Sequence, residues 1–192
     1  SMAGNNFGEN VADSEQLAKL MSVLANCPHP TLCLVQGAAF GGALGLIACC
    51  DIAVATNQAK FCLGEVKLGL IPAVISPYVI KAIGERQARR YFLTAEVFTA
   101  DVALDMGLIH DISDDLAHSE AHFLACLLNN GPQAVKSAKA LIDEVANNAI
   151  DEALINHTAK RIAHIRVSDE GQEGLSAFFE KRAPAWQNAA KQ

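Results

Sequence analysis

The residues best able to do chemistry in this chain are a glycine-rich turn, with Gly37, Gly41 and Gly42, and a glutamate, Glu65. The turn follows an apolar, β-prone run over residues 31–35 and leads directly into the Ala/Leu/Ile segment before Asp51. Strand, glycine turn, helix is an order that sets backbone N–H groups at a helix N-terminus with no side chain in the way. Such amides can hold a developing negative charge. The same glycines would also serve close helix–strand packing, and the turn alone does not separate the two uses. Glu65 sits between a short extended piece and Val66-Lys67-Leu68-Gly69, in mainly apolar surroundings. A carboxyl group there can take up and return a proton; the alternative is a solvated loop glutamate.

These groups depend on the elements around them. Leu17, Leu20, Met21 and Leu24 recur at helical spacing after Ser14, which predicts an amphipathic helix ending near Asn26, and residues 1–13 read as loose. Short extended pieces are expected over 51–55 and 61–63. Pro77 suits the first turn of a helix and Gly84 its end, with a second short helix over 86–92. Thr99 can cap a third, closed by Gly107, before a last strand over 108–112. After Ser113 the pattern turns wholly helical, over roughly 115–129, 132–148, 150–166 and 171–181. The expected organisation is an α/β portion, 1–112, followed by a helical portion, 113–192.

Composition bounds the partners. The chain has 192 residues, 51% hydrophobic and 19% charged, which is enough for one good core with a helical appendage. A net charge of −6 gives no support to a nucleic-acid partner or an anionic membrane surface. No apolar run reaches the ~18 residues of a membrane span, and no secretory leader is recognisable. Six cysteines lack a C-x-x-C pair and sit mostly in apolar runs, as expected of buried thiols in a reducing compartment. A cytoplasmic or organelle-matrix location follows as an expectation.

The wider sequence resembles the crotonase (enoyl-CoA hydratase/isomerase) superfamily. The matching blocks are Gln36-Gly37-Ala38-Ala39-Phe40-Gly41-Gly42, then Ala48-Cys49-Cys50-Asp51-Ile52-Ala53-Val54-Ala55. Phe61-Cys62-Leu63-Gly64-Glu65-Val66-Lys67-Leu68-Gly69-Leu70-Ile71-Pro72 follows, then Leu93-Thr94-Ala95-Glu96 through Ala103-Leu104-Asp105-Met106-Gly107-Leu108-Ile109, and Ser176-Ala177-Phe178-Phe179-Glu180-Lys181-Arg182. The resemblance implies an α/β fold, a spiral of ββα units, with a C-terminal helical trimerisation region. It implies an acyl-CoA thioester substrate, no cofactor beyond the coenzyme A of that substrate, and a homotrimer or dimer of trimers. Within the superfamily, the stretches over 35–42, 70–78 and 83–96 are similar to bacterial methylglutaconyl-CoA hydratases.

By this resemblance Gly42 supplies a backbone N–H to the thioester oxygen and Glu65 is the catalytic acid/base. Ala39, Phe40, Gly41 and Pro72 belong to the substrate-binding surface. Phe178 and Lys181 match the aromatic and the cation that contact coenzyme A, and their i, i+3 spacing would put them on one helix face. Gly45 departs from the pattern, since many hydratases carry a second glutamate there; Glu65 alone would serve, with a water in the vacated space, or the reaction would need one carboxylate only. The run Ala73-Val74-Ile75 is a second departure, replacing a glycine run after Pro72. The implied reaction is hydration of a 2-enoyl-CoA, with Δ3–Δ2 enoyl-CoA isomerisation and a non-catalytic subunit as the alternatives. His118 and His122 lack metalloprotease spacing, and no metal is expected. The family's other oxyanion donor comes from an Ala-Gly-x-Asp loop after earlier strands. Ala3-Gly4-Asn5-Asn6 imitates it too close to Gly42, so the chain reads as beginning downstream of that loop.

Overall fold

The computed structural model describes residues 6–189, so most of the loop-like stretch Ala3-Gly4-Asn5-Asn6 lies outside it. The chain divides into two compact units, Ser1–Cys27 with Thr31–Glu120, and Pro28–Pro30 with Ala121–Gln192.

In the first unit, helix α1 spans Phe7–Ala25 and starts well before the apolar periodicity. The reason is its cap: the Asn6 side chain accepts from the amides of Gly8 at 2.9 Å and Glu9 at 3.2 Å, satisfying donors that a helix start leaves orphaned. Of the residues expected to be loose, 7–13 therefore form its first turns. Two three-stranded sheets follow, in the orders β1-β3-β6 and β2-β4-β5. In the first, β1 (Leu32–Val35), β3 (Ile52–Ala55) and β6 (Asp111–Ile112) are parallel, with Leu32 opposite Ile52 and Val54 opposite Asp111. In the second, β2 (Ala38–Phe40) runs parallel to β4 (Lys60–Cys62), and β5 (Phe98–Thr99) is antiparallel to β4.

The glycine turn is thus a strand between two turns. The chain leaves β1 at Gly37, with φ 74°, pairs as β2, and turns again at Gly41, with φ 53°, into α2 (Gly42–Cys49). Both angles are open to glycine and costly for other residues. The last strand is shorter than expected. Its predecessor His110 joins the sheet instead, donating its amide to the Ala53 carbonyl at 2.8 Å and accepting the Ala53 amide on Nδ1 at 3.0 Å.

The core has Val54, Phe61, Leu63, Leu44, Met21 and Val79 at or near zero exposure. Helix α3 (Ser76–Thr94) has Pro77 in its first turn and breaks at Gly84 (φ 75°, ψ 158°), as two consecutive helices were expected to do. Thr99 caps α4 (Ala100–Asp105) through the Val102 amide. At the sheet edge, Asp51 Oδ2 accepts from the amide and the hydroxyl of Thr31, at 2.7 and 2.9 Å, and the Asp51 amide donates back to Thr31 Oγ1. The start of β3 is thereby tied to the start of β1.

The second unit is helical: the body of α5 (Leu116–Leu128), then α6 (Pro132–Val145), α7 (Glu152–Val167), α8 (Asp169–Glu180) and α9 (Ala185–Ala189). The short α9 was not expected from the sequence. It is fixed by Glu173, which pairs with both ends of the Arg182 guanidinium at 2.7 and 2.9 Å and accepts the Ala185 amide at 2.8 Å. Trp186 Nε1 adds a bond to the Asn129 carbonyl.

Two outcomes test this construction. Replacing Asp51 by Ala removes the β1–β3 tie and lowers stability by about 1 kcal/mol, a midpoint shift of about 3 °C in thermal unfolding. The Glu173 carboxyl is held down from an ordinary 4.5 to about 2, first by Arg182 and then by the Ala185 amide. A lowered carboxylate contributes stability that is complete above about 4.5 and is lost as pH falls toward about 2. Trp186 fluorescence should therefore report loosening of α9 within that window, and Glu173→Gln should make the signal independent of pH there.

Candidate active site

The geometry starts from the pairing of β2 with β4. Phe40 lies opposite Cys62, and the Gly41 amide extends the ladder by donating to the Cys62 carbonyl at 2.9 Å. The end of β4 is thereby locked beside the start of α2. Buried Leu63 and then Gly64 carry the chain into a short 3-10 helix over Glu65–Leu68, closed by Gly69 at φ 70°. The Leu70 amide donates back to the Glu65 carbonyl at 3.0 Å. Glu65 is therefore held at the mouth of a closed turn, three residues past the end of a strand whose register is fixed.

Its carboxylate lies against the backbone of Gly41. A Cβ on Gly41 would stand 3.1 Å from Glu65 Oε1, a tight contact that glycine avoids, and its angles favour glycine independently. Glu65 Oε2 is buried and has no hydrogen-bond partner among the described residues. Leaving a buried acceptor unsatisfied costs about 1–3 kcal/mol, and the groups that bear such costs cluster where chemistry occurs.

Next to Gly41, Gly42 opens α2. The first intrahelical bond of this turn runs from the Leu44 amide to the Gly41 carbonyl at 2.9 Å, and the opening amides of a helix have no acceptor within it. Gly42 is exposed, and a Cβ there would meet nothing within 4 Å. Its N–H is open to a ligand. No acidic residue lies in the first turn of α2 itself, so the carboxylate at this helix end is imported by the 3-10 turn. The Glu65 carboxylate and the opening amides of α2 thus share one corner.

Gly45 is not accompanied by a hole. A Cβ built on it would collide with Ile75 Cγ2, stand 2.8 Å from Ile75 Cβ and lie 3.1 Å from Met21 Cε. The place a Cβ would take is filled by an aliphatic side chain, so no vacancy for a water lies directly against Gly45. Sequence reasoning noted both departures, Gly45 and Ala73-Val74-Ile75, without seeing that one explains the other.

Of the remaining expected residues, Ala39 is buried in β2, Phe40 is 51% exposed, and Pro72 is buried in the segment leading to Ile75. Phe178 and Lys181 belong to the second unit. Phe178 is 76% exposed and meets Phe179 edge-on, with ring centroids 5.7 Å apart. Lys181 does not share its helix face. Helix α8 ends at Glu180, and Lys181 is its left-handed cap at φ 54°, closed by Arg182 N–H to the Ala177 carbonyl at 3.0 Å. A reversed backbone turns its side chain off the helix pattern. An open groove of about 390 Å³ along α1, lined by Phe7, Val11, Ala18 and Val74, includes neither Glu65 nor Gly42.

None of the six cysteines is in a disulfide, and Cys49 and Cys62 are buried. The Cys33 thiol is pushed up by its hydrogen bond with Cys50 and by burial. Among the described residues, no group of three or more His, Cys, Asp or Glu could hold a metal ion, and no helix is long and apolar enough to cross a membrane.

Comparison with known proteins places this geometry. An enoyl-CoA hydratase from Shewanella pealeana superposes with a TM-score of 0.91 at 58% identity, over 94% of this chain and 68% of that one. An enoyl-CoA hydratase of Alternaria alternata, ACTT6, is 34% identical over 84% of this chain and 55% of its own length. A mitochondrial Δ(3,5)-Δ(2,4)-dienoyl-CoA isomerase of Dictyostelium discoideum is 32% identical over 82% of this chain and 55% of its own. The chain therefore spans little more than half the length of these two curated relatives. The pattern of the enoyl-CoA hydratase/isomerase family matches residues 1–189. Its α/β architecture with a helical C-terminal region is that of the crotonases, and the chain belongs to the enoyl-CoA hydratase/isomerase family.

Proposed function

We propose that the chain carries the acid/base carboxylate and one oxyanion donor of an enoyl-CoA hydratase. The observation behind this reading is the state of Glu65: one oxygen buried without a partner among the described residues, the other against Gly41 beside the accessible Gly42 amide. In the reaction, Glu65 takes a proton from water as the water oxygen bonds to C3 of a 2-enoyl thioester. The C2=C3 electron pair moves toward the thioester oxygen, where the Gly42 N–H stabilises the enolate. The enolate then takes the proton from Glu65 at C2. The sum is one water added, with Glu65 restored and no cofactor consumed.

The substrate in this reading is a branched acyl-CoA of the 3-methylglutaconyl kind, supported by the resemblance over 35–42, 70–78 and 83–96. Ala39, Phe40, Gly41 and Pro72 would line its path. Phe178 and Lys181 would reach coenzyme A in a neighbouring subunit of a trimer, and the exposure of Phe178 supports a role outside the core. A cytoplasmic or mitochondrial-matrix setting goes with this reading. Gly45 favours a second reading, isomerisation of a 3-enoyl-CoA, in which Glu65 moves one proton between carbons and no water has to be held; a dienoyl-CoA isomerase among the relatives supports it.

The deciding experiment follows the conjugated-enoyl absorbance of 3-methylglutaconyl-CoA and of a straight-chain 2-enoyl-CoA. Hydration predicts its loss, and Glu65→Gln should slow this by at least about 100-fold. Gly42→Pro should cost about 100–1,000-fold, the range for one lost oxyanion donor, while keeping α2, because the first helical position accepts proline. A Glu65→Gln variant as active as the parent would overturn both readings. Absorbance that rises with a 3-enoyl-CoA, with none lost from the 2-enoyl substrates, would select isomerisation.

A further inference from the structure

Gly41 and Gly45 stand four residues apart, at the cap and inside the first turns of α2, and residues at that spacing share a helix face. Both are approached so closely that a Cβ would be crowded. What approaches differs. At Gly41 it is the carboxylate of Glu65, and at Gly45 it is the aliphatic side chain of Ile75, backed by Met21. This face of α2 therefore carries one proton-transfer group and, one turn along, one apolar plug. Ile75 is 2% exposed and Met21 and Leu44 are fully buried, so the plug has little room to withdraw.

Glycine inside a helix is locally unfavourable compared with alanine. Its presence at 45 is accounted for by Ile75, since even a methyl group there would force the side chain or the helix to shift. Ile75 in turn sits where the chain enters α3, just after the buried Pro72, so its backbone is anchored by the following helix.

We propose that Ile75 is the specificity-determining partner of Gly45. Its side chain occupies the place on the α2 face from which a second carboxylate would reach the site, and so commits the chain to proton transfer through Glu65 alone. This rests on the hydratase or isomerase reading of Glu65 for its chemistry, but the pairing itself is a matter of packing. Residues 45 and 75 then form an exchangeable pair, glycine with isoleucine or a larger side chain with a smaller one. Changing either member alone is penalised.

The test has two arms. Without substrate, thermal unfolding is compared for Gly45→Ala, Ile75→Ala and the double variant in the intact protein. Gly45→Ala should lower the midpoint by about 5 °C, as expected of overpacking in a buried site. In the Ile75→Ala background that loss should fall by at least half. Equal losses in both backgrounds would overturn the pairing. With substrate, Gly45→Glu is combined with Ile75→Ala, and the effect of Glu65→Gln on hydration is measured in that background. The Glu65→Gln loss should shrink at least tenfold relative to the parent, because a second carboxylate can now act. An unchanged loss in a folded double variant would overturn the claim that Ile75 excludes it. A parent protein without activity on any enoyl-CoA would overturn the reaction assigned to Glu65, while the unfolding comparison would still decide the pairing.

Discussion

The bond from the Gly41 amide to the Cys62 carbonyl, 2.9 Å long, fixes the arrangement on which the site depends. It joins the end of β2 to the end of β4 at the point where one strand becomes α2 and the other becomes the turn bearing Glu65. Gly41 meets three demands at once: it donates this bond, it adopts a left-handed φ of 53°, and it leaves space for a carboxylate oxygen. A side chain at this position would disturb the last two together. The supporting packing is aromatic. Phe61 of β4 stacks on Phe98 of β5 with ring centroids 5.5 Å apart, and Tyr91 of α3 closes on Phe98 at 4.5 Å. Rings at these separations favour offset or tilted contact beyond the area they bury. They hold β4 in register and, through it, the Glu65 turn.

Positions and chemistry were legible in the sequence to different degrees. The glycine spacing, the caps at Thr99 and the helix break at Gly84 have local causes, and local reasoning found them. The start of α1 was missed because its periodicity is weak over 7–13, while the deciding group is a single cap, Asn6, just ahead of them. The strand inside the glycine turn was missed because three residues give no period to read. Its existence depends on β4, some twenty residues downstream. Lys181 was misplaced for a related reason: spacing continued a helix that a left-handed cap had already ended.

The relation between Gly45 and Ile75 belongs to a third class. Each departs visibly from the pattern of the family, yet only three-dimensional contact makes them a single substitution. Reading Gly45 by itself invites a water into an imagined vacancy. Packing answers differently, since interiors are filled to crystal-like density and a deleted side chain in a well-adapted core is replaced by a neighbour. Here the neighbour is apolar and branched.

That replacement bears on how Glu65 can work. A carboxylate beside a second carboxylate would have its charge opposed by a like neighbour. With isoleucine filling the place beside Gly45, one turn along α2 there is neither a like charge nor a hydrogen-bonding side chain. Oε2 has no donor among the described residues, while Oε1 stands close to Gly41. The buried oxygen is thus left without a partner by the fold. In the proposed reaction an unpartnered oxygen is what proton transfer needs, since an oxygen already satisfied by the protein would have to break a bond before it could act.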